Sequence, residues 1–268
     1  MTSPPPQSLV VGRDRRRIAC LVQPGDGSAH LPGLLWLPGF KSEMVSTKAS
    51  VLADWGAAHG RGVVRFDYSG HGQSALDQSG GRFEDGTIGR WLEEVRAVFA
   101  GLTRGPQIVV GSSMGGYLAL LLARRLMLEH PAEAARIKAL VLIAPAWNMT
   151  EVLWARMPDA ARRELMETGV WQRPSQYGSA YPITRGLIDD GRRHLLASRG
   201  WNRGWNPGRP VVILHGRLDP DVPFGHSEEL CRVLDGSWTR LVAVADGEHR
   251  LSRPDDIALL LRLIDAAA

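Results

Sequence analysis

The sequence predicts an α/β fold in which about eight mostly parallel strands form one sheet that helices cover on both faces. Short apolar runs rich in Val, Ile and Leu alternate along the chain with longer segments of helical periodicity. The chain has 268 residues, of which 44% are hydrophobic and 22% are charged. That length and composition are typical of a globular protein with one large core or two small ones.

The predicted strands are short segments that are apolar throughout rather than alternating, which favours a sheet buried on both faces. The first two are separated by a polar turn and are expected to pair as an opening hairpin. In order, the predicted strands are 8–12, 17–23, 33–37, 62–66, 108–110, 137–144, 210–214 and 238–245.

The segments between these strands repeat apolar residues at helical spacing, as in Ile88, Trp91 and Val95. Ser46 or Thr47 is a suitable N-cap for the first helix, and Pro223 suits the first helical position of a later one. The predicted helices are 47–59, 87–102, a segment from the turn near 113 to about 129, 223–234 and 254–264.

Composition and charge argue against several classes of partner. The formal net charge is +4, and basic residues are mixed with acidic ones except between Arg13 and Arg17. Without a basic stripe or a recognisable module, we expect no nucleic-acid partner. No apolar stretch approaches the ~20 residues that span a bilayer, and the first residues lack the apolar segment of a secretion signal. A cytoplasmic protein with no transmembrane segment is therefore expected.

No motif for a metal or a cofactor is visible. Cys20 and Cys231 give neither a disulfide framework nor a metal-ligand spacing, and we expect both to pack as small apolar side chains in a reducing compartment. The glycine-rich turn from Gly111 to Gly116 is not followed by the lysine of a phosphate-binding loop. We therefore expect no metal and no cofactor.

Residues 145–208 interrupt the alternation of strands and helices with several short helical patterns. The expected organisation is a core of residues 1–144 and 209–268 with a helical insertion at 145–208. Two interpretations stay open: the aromatic residues form the insertion's own small core, or the insertion is a lid that covers an apolar substrate pocket. In the second interpretation, Trp147, Trp154 and Trp171 contact the substrate. The further aromatic residues of the insertion are Tyr177, Tyr181, Trp201 and Trp205.

The turn Gly111-Ser112-Ser113-Met114-Gly115 carries the pattern G-x-S-x-G between a β-branched strand and an apolar helix. In that context the central Ser113 takes a strained backbone conformation that raises its hydroxyl above the sheet. The flanking glycines allow strand and helix to approach closely. The pattern predicts that Ser113 is a nucleophile, with Ser112 as the weaker candidate because it lacks the symmetric glycine spacing.

A nucleophilic serine needs a base and an acid, which in such a sheet follow on later loops in the order serine, acid, histidine. Asp219 lies shortly after one core strand, and His249 lies in the loop after the last strand. Asp221 is the alternative acid, although it also suits the cap of the following helix. Among the other histidines, His71 and His215 are expected to be structural. The rest are expected on the surface or in the insertion: His30, His59, His130, His194 and His226.

The oxyanion of an acyl-transfer intermediate requires two N–H donors. The backbone N–H of Met114 should supply one, because it directly follows the nucleophile. The loop after Leu37 should supply the other, and Phe40 is the best placed residue there. Its side chain is expected to line the acyl side of the cleft.

With these residues assembled, the chain resembles the α/β-hydrolases. More narrowly, it resembles a family that contains mitochondrial acyl-glucuronide esterases and palmitoyl-protein thioesterases together with bacterial relatives. The resemblance covers most of the chain from Leu37 onward. It is carried by Pro38-Gly39, Thr47-Lys48-Ala49, Arg65-Phe66-Asp67-Tyr68-Ser69-Gly70, Gly105-Pro106-Gln107-Ile108, Gly111-Ser112-Ser113, Gly115-Gly116, Gly169-Val170-Trp171 with Pro174-Ser175 and Tyr177, and His249-Arg250.

This resemblance implies an α/β-hydrolase fold, with Ser113, Asp219 and His249 as the triad and Phe40 and Met114 at the oxyanion positions. The chain departs from the family at two of these places. Phe40 stands where the family has a tyrosine. Pro220 stands where it has a second aspartate, which leaves Asp221 as an alternative acid.

We therefore predict a serine hydrolase that cleaves carboxylic esters or thioesters through an acyl-enzyme. Its substrates are expected to be small acyl esters, acyl thioesters or acylated proteins, and the apolar insertion favours long acyl chains. Cleavage of acyl-glucuronide-type esters would need a cation for the sugar carboxylate. A peptidase or carbon–carbon bond hydrolase on the same triad is the alternative enzyme, and a non-catalytic ligand-binding protein is the alternative from another class. The insertion's candidate cations are Arg156, Arg163, Arg173 and Arg185.

Overall fold

The structure is a computed structural model of the whole chain. It describes residues 5–27, 31–76, 80–175, 180–196, 205–234 and 237–268. His30, Tyr177 and Trp201, which the sequence analysis considered, lie outside the described residues.

Eight strands form one mostly parallel sheet, as predicted, in the order β1-β2-β4-β3-β5-β6-β9-β10. β2 is antiparallel to both of its neighbours, and the remaining pairs are parallel. The strands are β1 (Gln7–Val11), β2 (Arg16–Gln23), β3 (Gly33–Leu37), β4 (Val63–Phe66), β5 (Gln107–Ser112), β6 (Ile137–Ile143), β7 (Val170–Arg173), β8 (Tyr181–Thr184), β9 (Val211–Gly216) and β10 (Thr239–Val244).

Helices lie on both faces of this sheet, which together with the strand order gives the predicted α/β architecture. The helices are α1 (Thr47–Ala58), α2 (Ile88–Leu102), α3 (Met114–Glu129), α4 (Pro131–Ala134), α5 (Met149–Arg156), α6 (Asp159–Thr168), α7 (Arg185–Gly191), α8 (Phe224–Val233) and α9 (Pro254–Ala266).

The central strand β5 shows why the two faces need separate layers of helices. Its side chains alternate between faces, so Val109 packs into one core cluster with residues of α2 and α3. Ile108 and Val110 pack into a second cluster with residues of α1 and α9. All three are fully buried. A strand with apolar residues at successive positions is thus stable only in the middle of such a sandwich of helices.

The predicted element bounds differ from the observed ones in a few places that matter for the site. β9 continues through His215 and Gly216, whereas the sequence ended this strand at Leu214. Pro223 is the N-cap of α8 rather than its first helical residue. Ser46 is the N-cap of α1, but its side chain makes no capping hydrogen bond.

The inserted segment contains α5, α6 and α7, but it also contains a small antiparallel sheet formed by β7 and β8. The prediction of a helical insertion missed this hairpin. A small cluster of its own includes Met157, Leu165 and Ile183. Trp205 instead packs against the main core and bridges to Leu234, so the tryptophans of the segment do not share one core.

Candidate active site

The turn between β5 and α3 holds Ser113 in a conformation that few residues other than glycine adopt. Its φ is 54° and its ψ is −116°, which costs about 1–3 kcal/mol unless the surroundings enforce it. The neighbouring glycines explain how the turn is enforced. A Cβ atom added to Gly111 would lie 2.4 Å from the carbonyl oxygen of Gly115, and one added to Gly115 would lie 2.0 Å from that of Leu37. Only glycine permits this close approach of strand and helix.

Ser113, His249 and Asp219 form one hydrogen-bonded row at the carboxyl end of the parallel strands. The hydroxyl of Ser113 donates to Nε2 of His249 at 3.2 Å. Nδ1 of His249 donates to Oδ2 of Asp219 at 2.7 Å. A carboxylate only accepts hydrogen bonds, so its contact with Nδ1 fixes the tautomer that leaves Nε2 free to take a proton.

The acid of this row is buried and has other donors besides His249. The N–H groups of Asp221 and Val222 donate to Oδ1 of Asp219, and Nε2 of His215 donates to Oδ2 at 3.1 Å. Burial opposes ionisation of Asp219, but the hydrogen bonds from His215 and His249 outweigh it and hold the pKa of its carboxyl well below the ordinary value. Asp219 is therefore a carboxylate at neutral pH. Asp219 is the acid that accepts the hydrogen bond from Nδ1 of His249, and the alternative Asp221 lies close by, with an oxygen within 4.8 Å of a ring nitrogen of His249.

His215 is the residue of this site that the sequence analysis undervalued. It was expected to be structural; it lies at the end of β9, is fully buried and donates to an oxygen of Asp219 in the following turn, the same oxygen that His249 contacts. Its Nε2 also contacts the carbonyl of Val222 at 2.9 Å, and its Nδ1 accepts from the hydroxyl of Ser227 at 2.6 Å. The sequence feature that could have indicated this contact is the position of His215 at a strand end, four residues before Asp219.

The two residues expected to supply oxyanion N–H groups both lie beside Ser113. Met114 is the first residue of α3, so its N–H has no partner within the helix. The loop after β3 passes close to the nucleophile: a Cβ atom added to Gly39 would lie 3.4 Å from the Cβ of Ser113. Phe40 follows Gly39 directly. The positions of Met114 and Phe40 are therefore compatible with the expectation that their backbone N–H groups bind an oxyanion.

A cavity of about 680 Å³ opens over Ser113 and His249, between the sheet edge and the inserted segment. Phe40 lines it, as does Trp171 of β7. Trp147 and Trp154 were expected to line it as well, but neither does. The indole of Trp147 is buried and stacks on His226, and that of Trp154 packs outside the cavity beneath the guanidinium groups of two arginines. The apolar lining from the insertion comprises Ala146, Met149, Val152, Leu153, Met157, Trp171, Tyr181 and Ile183.

Cations also face this cavity. Of the four arginines considered from sequence, Arg156 and Arg173 line it, whereas Arg163 and Arg185 do not. His226, which the sequence placed on the surface or in the insertion, lines the cavity from α8 and is half-buried. The ammonium of Lys41 lies 5.3 Å from the centre of the Tyr181 ring, so it links the loop after β3 to the insertion.

Two charged side chains that the sequence analysis left without a role hold the loops of the site. Lys48 of α1 donates to the backbone carbonyl of Arg250, next to His249, and burial lowers its pKa to about 8. Asp67 accepts from the backbone N–H groups of Met44 and Gln73 at 2.6 and 2.9 Å, and burial raises its pKa to about 6. Both lie in segments that carry the family resemblance, and that resemblance was the sequence feature that could have indicated their importance.

One group of potential metal ligands occurs among the described residues: Asp219, Asp221 and His249, whose ligand atoms lie within 4.8 Å of one another. The Asp219 oxygen in this group already accepts hydrogen bonds from two imidazoles. The group therefore fits a hydrogen-bonded row better than a metal site. Within the described ranges, no helix is both long and apolar enough to cross a bilayer.

Comparison with known proteins agrees with the fold. A family model described as serine aminopeptidase, S33, of the group Hydrolase_4, matches residues 34–180, more than half of the chain. The chain is 31% identical over 237 residues to the mitochondrial palmitoyl-protein thioesterase ABHD10 of cattle, covering 87% of this chain and 72% of the relative. The chain therefore belongs to the Hydrolase_4 family of α/β-hydrolases.

Solved structures of α/β-hydrolases superpose over nearly the whole chain. A putative hydrolase from Agrobacterium vitis has a TM-score of 0.90 and 40% identity, with 98% of each chain covered. The mouse α/β hydrolase domain-containing protein 10 has a TM-score of 0.78 and 27% identity, with 97% of each chain covered. The eight-stranded sheet and its flanking helices are therefore those of the family.

Proposed function

We propose that this α/β-hydrolase is a serine-dependent carboxylesterase or thioesterase that works through an acyl-enzyme. The observation that carries the proposal is the row from Ser113 through His249 to Asp219, with contacts of 3.2 and 2.7 Å. A serine hydroxyl is a weak nucleophile until a base removes its proton, and this row supplies the base and the group that orients it.

In the proposed mechanism, Ser113 attacks the acyl carbonyl while Nε2 of His249 takes the hydroxyl proton. Asp219 stabilises the imidazolium that forms, and the N–H groups of Phe40 and Met114 bind the oxyanion. The imidazolium then protonates the leaving alcohol or thiol. A water molecule, deprotonated by the same imidazole, hydrolyses the acyl-enzyme and restores Ser113.

Acyl thioesters, including S-palmitoylated proteins, are the substrates we favour. The cavity lining from the insertion is largely apolar, and an acyl chain gains about 0.8 kcal/mol for each methylene that it buries. The mammalian relatives are named palmitoyl-protein thioesterases, which supports the same class. We further propose that residues 145–208 act as the lid of this cavity, with Phe40 and Trp171 in contact with the acyl chain.

Acyl-glucuronide-type esters are a second candidate, favoured by Arg156 and Arg173 at the cavity. A guanidinium can bind a sugar carboxylate with two parallel hydrogen bonds. We expect Arg156→Gln or Arg173→Gln to lower kcat/KM for an acyl glucuronide about tenfold or more and to spare the methyl ester of the same acid. Arg163→Gln, on an exposed position away from the cavity, is the matched control.

The defining experiment measures kcat/KM for acyl thioesters and matched oxyesters from acetyl to palmitoyl, with wild-type protein and the Ser113→Ala variant. We expect hydrolysis by the wild type that rises with chain length and is lost in the variant. A preference for acetyl would contradict the long-acyl pocket. Faster cleavage of peptides or of carbon–carbon bonds would favour the alternative enzymes, and no turnover of any class would favour a ligand-binding protein.

We propose a cytoplasmic location; the free thiols of Cys20 and Cys231 are compatible with any reducing compartment. The mammalian relatives are named mitochondrial, so fractionation of cells that produce the protein is the direct test of this location.

A further inference from the structure

The turn that carries the backbone N–H of Phe40 contains a strained residue that is not glycine. The N–H of Ser42 donates to the carbonyl oxygen of Gly39 at 3.0 Å and so closes a four-residue turn with Phe40 and Lys41 at its centre. Lys41 has a φ of 56°, in the left-handed region that glycine enters most readily. A strained residue of this kind persists only where its surroundings hold it.

The side chain of Lys41 reaches from this turn to two aromatic rings and a backbone carbonyl. Its ammonium lies 5.2 Å from the centre of the Phe83 ring and 5.3 Å from that of the Tyr181 ring. It also donates to the carbonyl oxygen of Ala180 at 3.4 Å. A cation within about 6 Å of a ring centre is attracted by the ring. Because Ala180 and Tyr181 belong to the insertion, the ammonium holds the turn against the insertion.

The ring of Phe40 contacts the same two aromatic side chains edge to face. Its centroid lies 5.0 Å from that of Phe83 and 5.9 Å from that of Tyr181, with interplanar angles of 71° and 86°. Tyr181 therefore contacts both central residues of the turn. The turn also lies beside the nucleophile, since a Cβ atom added to Gly39 would be 3.4 Å from the Cβ of Ser113. A displacement of the insertion at Tyr181 would thus be transmitted to the N–H of Phe40.

We propose that Lys41 is a positioning residue that couples the insertion to the oxyanion N–H of Phe40. This proposal rests on the proposed function, because it assumes that this N–H binds the oxyanion formed when Ser113 attacks. With its ammonium on the ring of Tyr181, Lys41 keeps its left-handed conformation and the turn keeps the N–H in place. Because the oxyanion exists only after attack, loss of this contact slows turnover and leaves substrate binding unchanged.

The experiment measures kcat and KM of Lys41 variants with para-nitrophenyl butanoate, whose short acyl group limits contacts with the insertion. We expect Lys41→Met to lower kcat about fivefold and to leave KM within about twofold, because both cation–π contacts are lost. Lys41→Arg keeps a cation for the two rings and should retain most of kcat. Lys41 is exposed, so these substitutions leave the core intact. Lys138→Met, at the amino end of β6 and thus at the opposite edge of the sheet, is the matched control.

Lys41→Gly separates the positioning role from a role in the turn alone. Glycine suits the left-handed conformation but has no ammonium. If Lys41 served only the turn, glycine would replace it without loss of kcat. The proposal instead predicts that Lys41→Gly lowers kcat as far as Lys41→Met does.

A double substitution tests whether the insertion is the anchor. Lys41→Met should lower kcat less in a Tyr181→Leu background than in the wild type, because one of the two rings is already absent. Each comparison is made within one background, so direct contact of Tyr181 with the acyl group cancels.

The proposal is overturned if Lys41→Met or Lys41→Gly keeps the wild-type kcat, or if only KM changes. It is also overturned if Lys41→Arg loses as much as Lys41→Met, or if the effect of Lys41→Met is the same with and without the Tyr181 ring. Failure of the proposed function would be distinct, because then the wild type itself would not hydrolyse the ester.

Discussion

Nε2 of His249 lies 3.2 Å from the hydroxyl oxygen of Ser113, although the two residues are 136 positions apart in the chain. The sheet explains how they meet. Ser113 follows β5 and His249 follows β10, and the neighbouring strands β5, β6, β9 and β10 run parallel, so their carboxyl ends meet at one edge. Ligand and catalytic sites of open α/β sheets form at this edge.

His215 is expected to act as a positioning residue, because it donates to the same Asp219 oxygen that His249 uses. The His215→Phe variant removes that donor and should lower kcat about tenfold with little change in KM, since one hydrogen bond to a charged group contributes about 1.5–3 kcal/mol. Ser227→Ala leaves His215 in place and should have a smaller effect. Steady-state kinetics of both variants measure this, and an unchanged kcat in His215→Phe would assign His215 to packing alone.

Asp67 should make stability depend on pH in a defined direction. Its pKa is about 6 in the folded protein against 3.8 for the free side chain, so the folded state holds the proton more tightly. The stabilisation is present below pH 3.8 and is lost as pH rises towards about 6, an effect of up to about 3 kcal/mol. The free energy of unfolding of the wild type relative to Asp67→Asn should fall over this window. Urea unfolding at several pH values measures it, and a difference independent of pH would contradict the assignment.

Two glycine substitutions should have opposite effects on stability. Gly115→Ala would place a Cβ atom 2.0 Å from the backbone oxygen of Leu37, which cannot move away, so we expect a loss of several kcal/mol or failure to fold. Gly101→Ala, in α2, meets only the end of the Leu9 side chain at 3.8 Å and should stabilise the protein by about 0.5–1 kcal/mol. Thermal unfolding compares the two, and a well-folded Gly115→Ala variant would refute the close approach in the turn.

The core fold could be predicted because its signals are local. The β-branched runs of β5 and β6 and the periodic apolar residues of α2 indicate their structures without knowledge of the neighbours. The hairpin of β7 and β8 was missed because each strand has four residues, mostly half-buried, and neither shows a clear alternation. Segments this short are stabilised by tertiary contacts rather than by their own sequence pattern.

The hydrogen-bonded row of Ser113, His249 and Asp219 could be predicted because strand order restricts which loops meet. The residues that line the cavity could not be predicted in this way. Trp147 and Trp171 are both apolar residues of the insertion, yet Trp147 turns towards His226 and Trp171 turns to the cavity. The sharing of Asp219 between His215 and His249 was also invisible, since it depends on the distance between two loops. Orientation of individual side chains requires packing that sequence spacing does not determine.

The most direct test of the central claim is covalent labelling of the folded protein with a fluorophosphonate, followed by mass spectrometry of the labelled peptide. The row of Ser113, His249 and Asp219 predicts that the label attaches to Ser113, that Ser113→Ala abolishes it and that Ser112→Ala retains it. Attachment to Ser112, or undiminished labelling of a folded Ser113→Ala variant, would contradict the account.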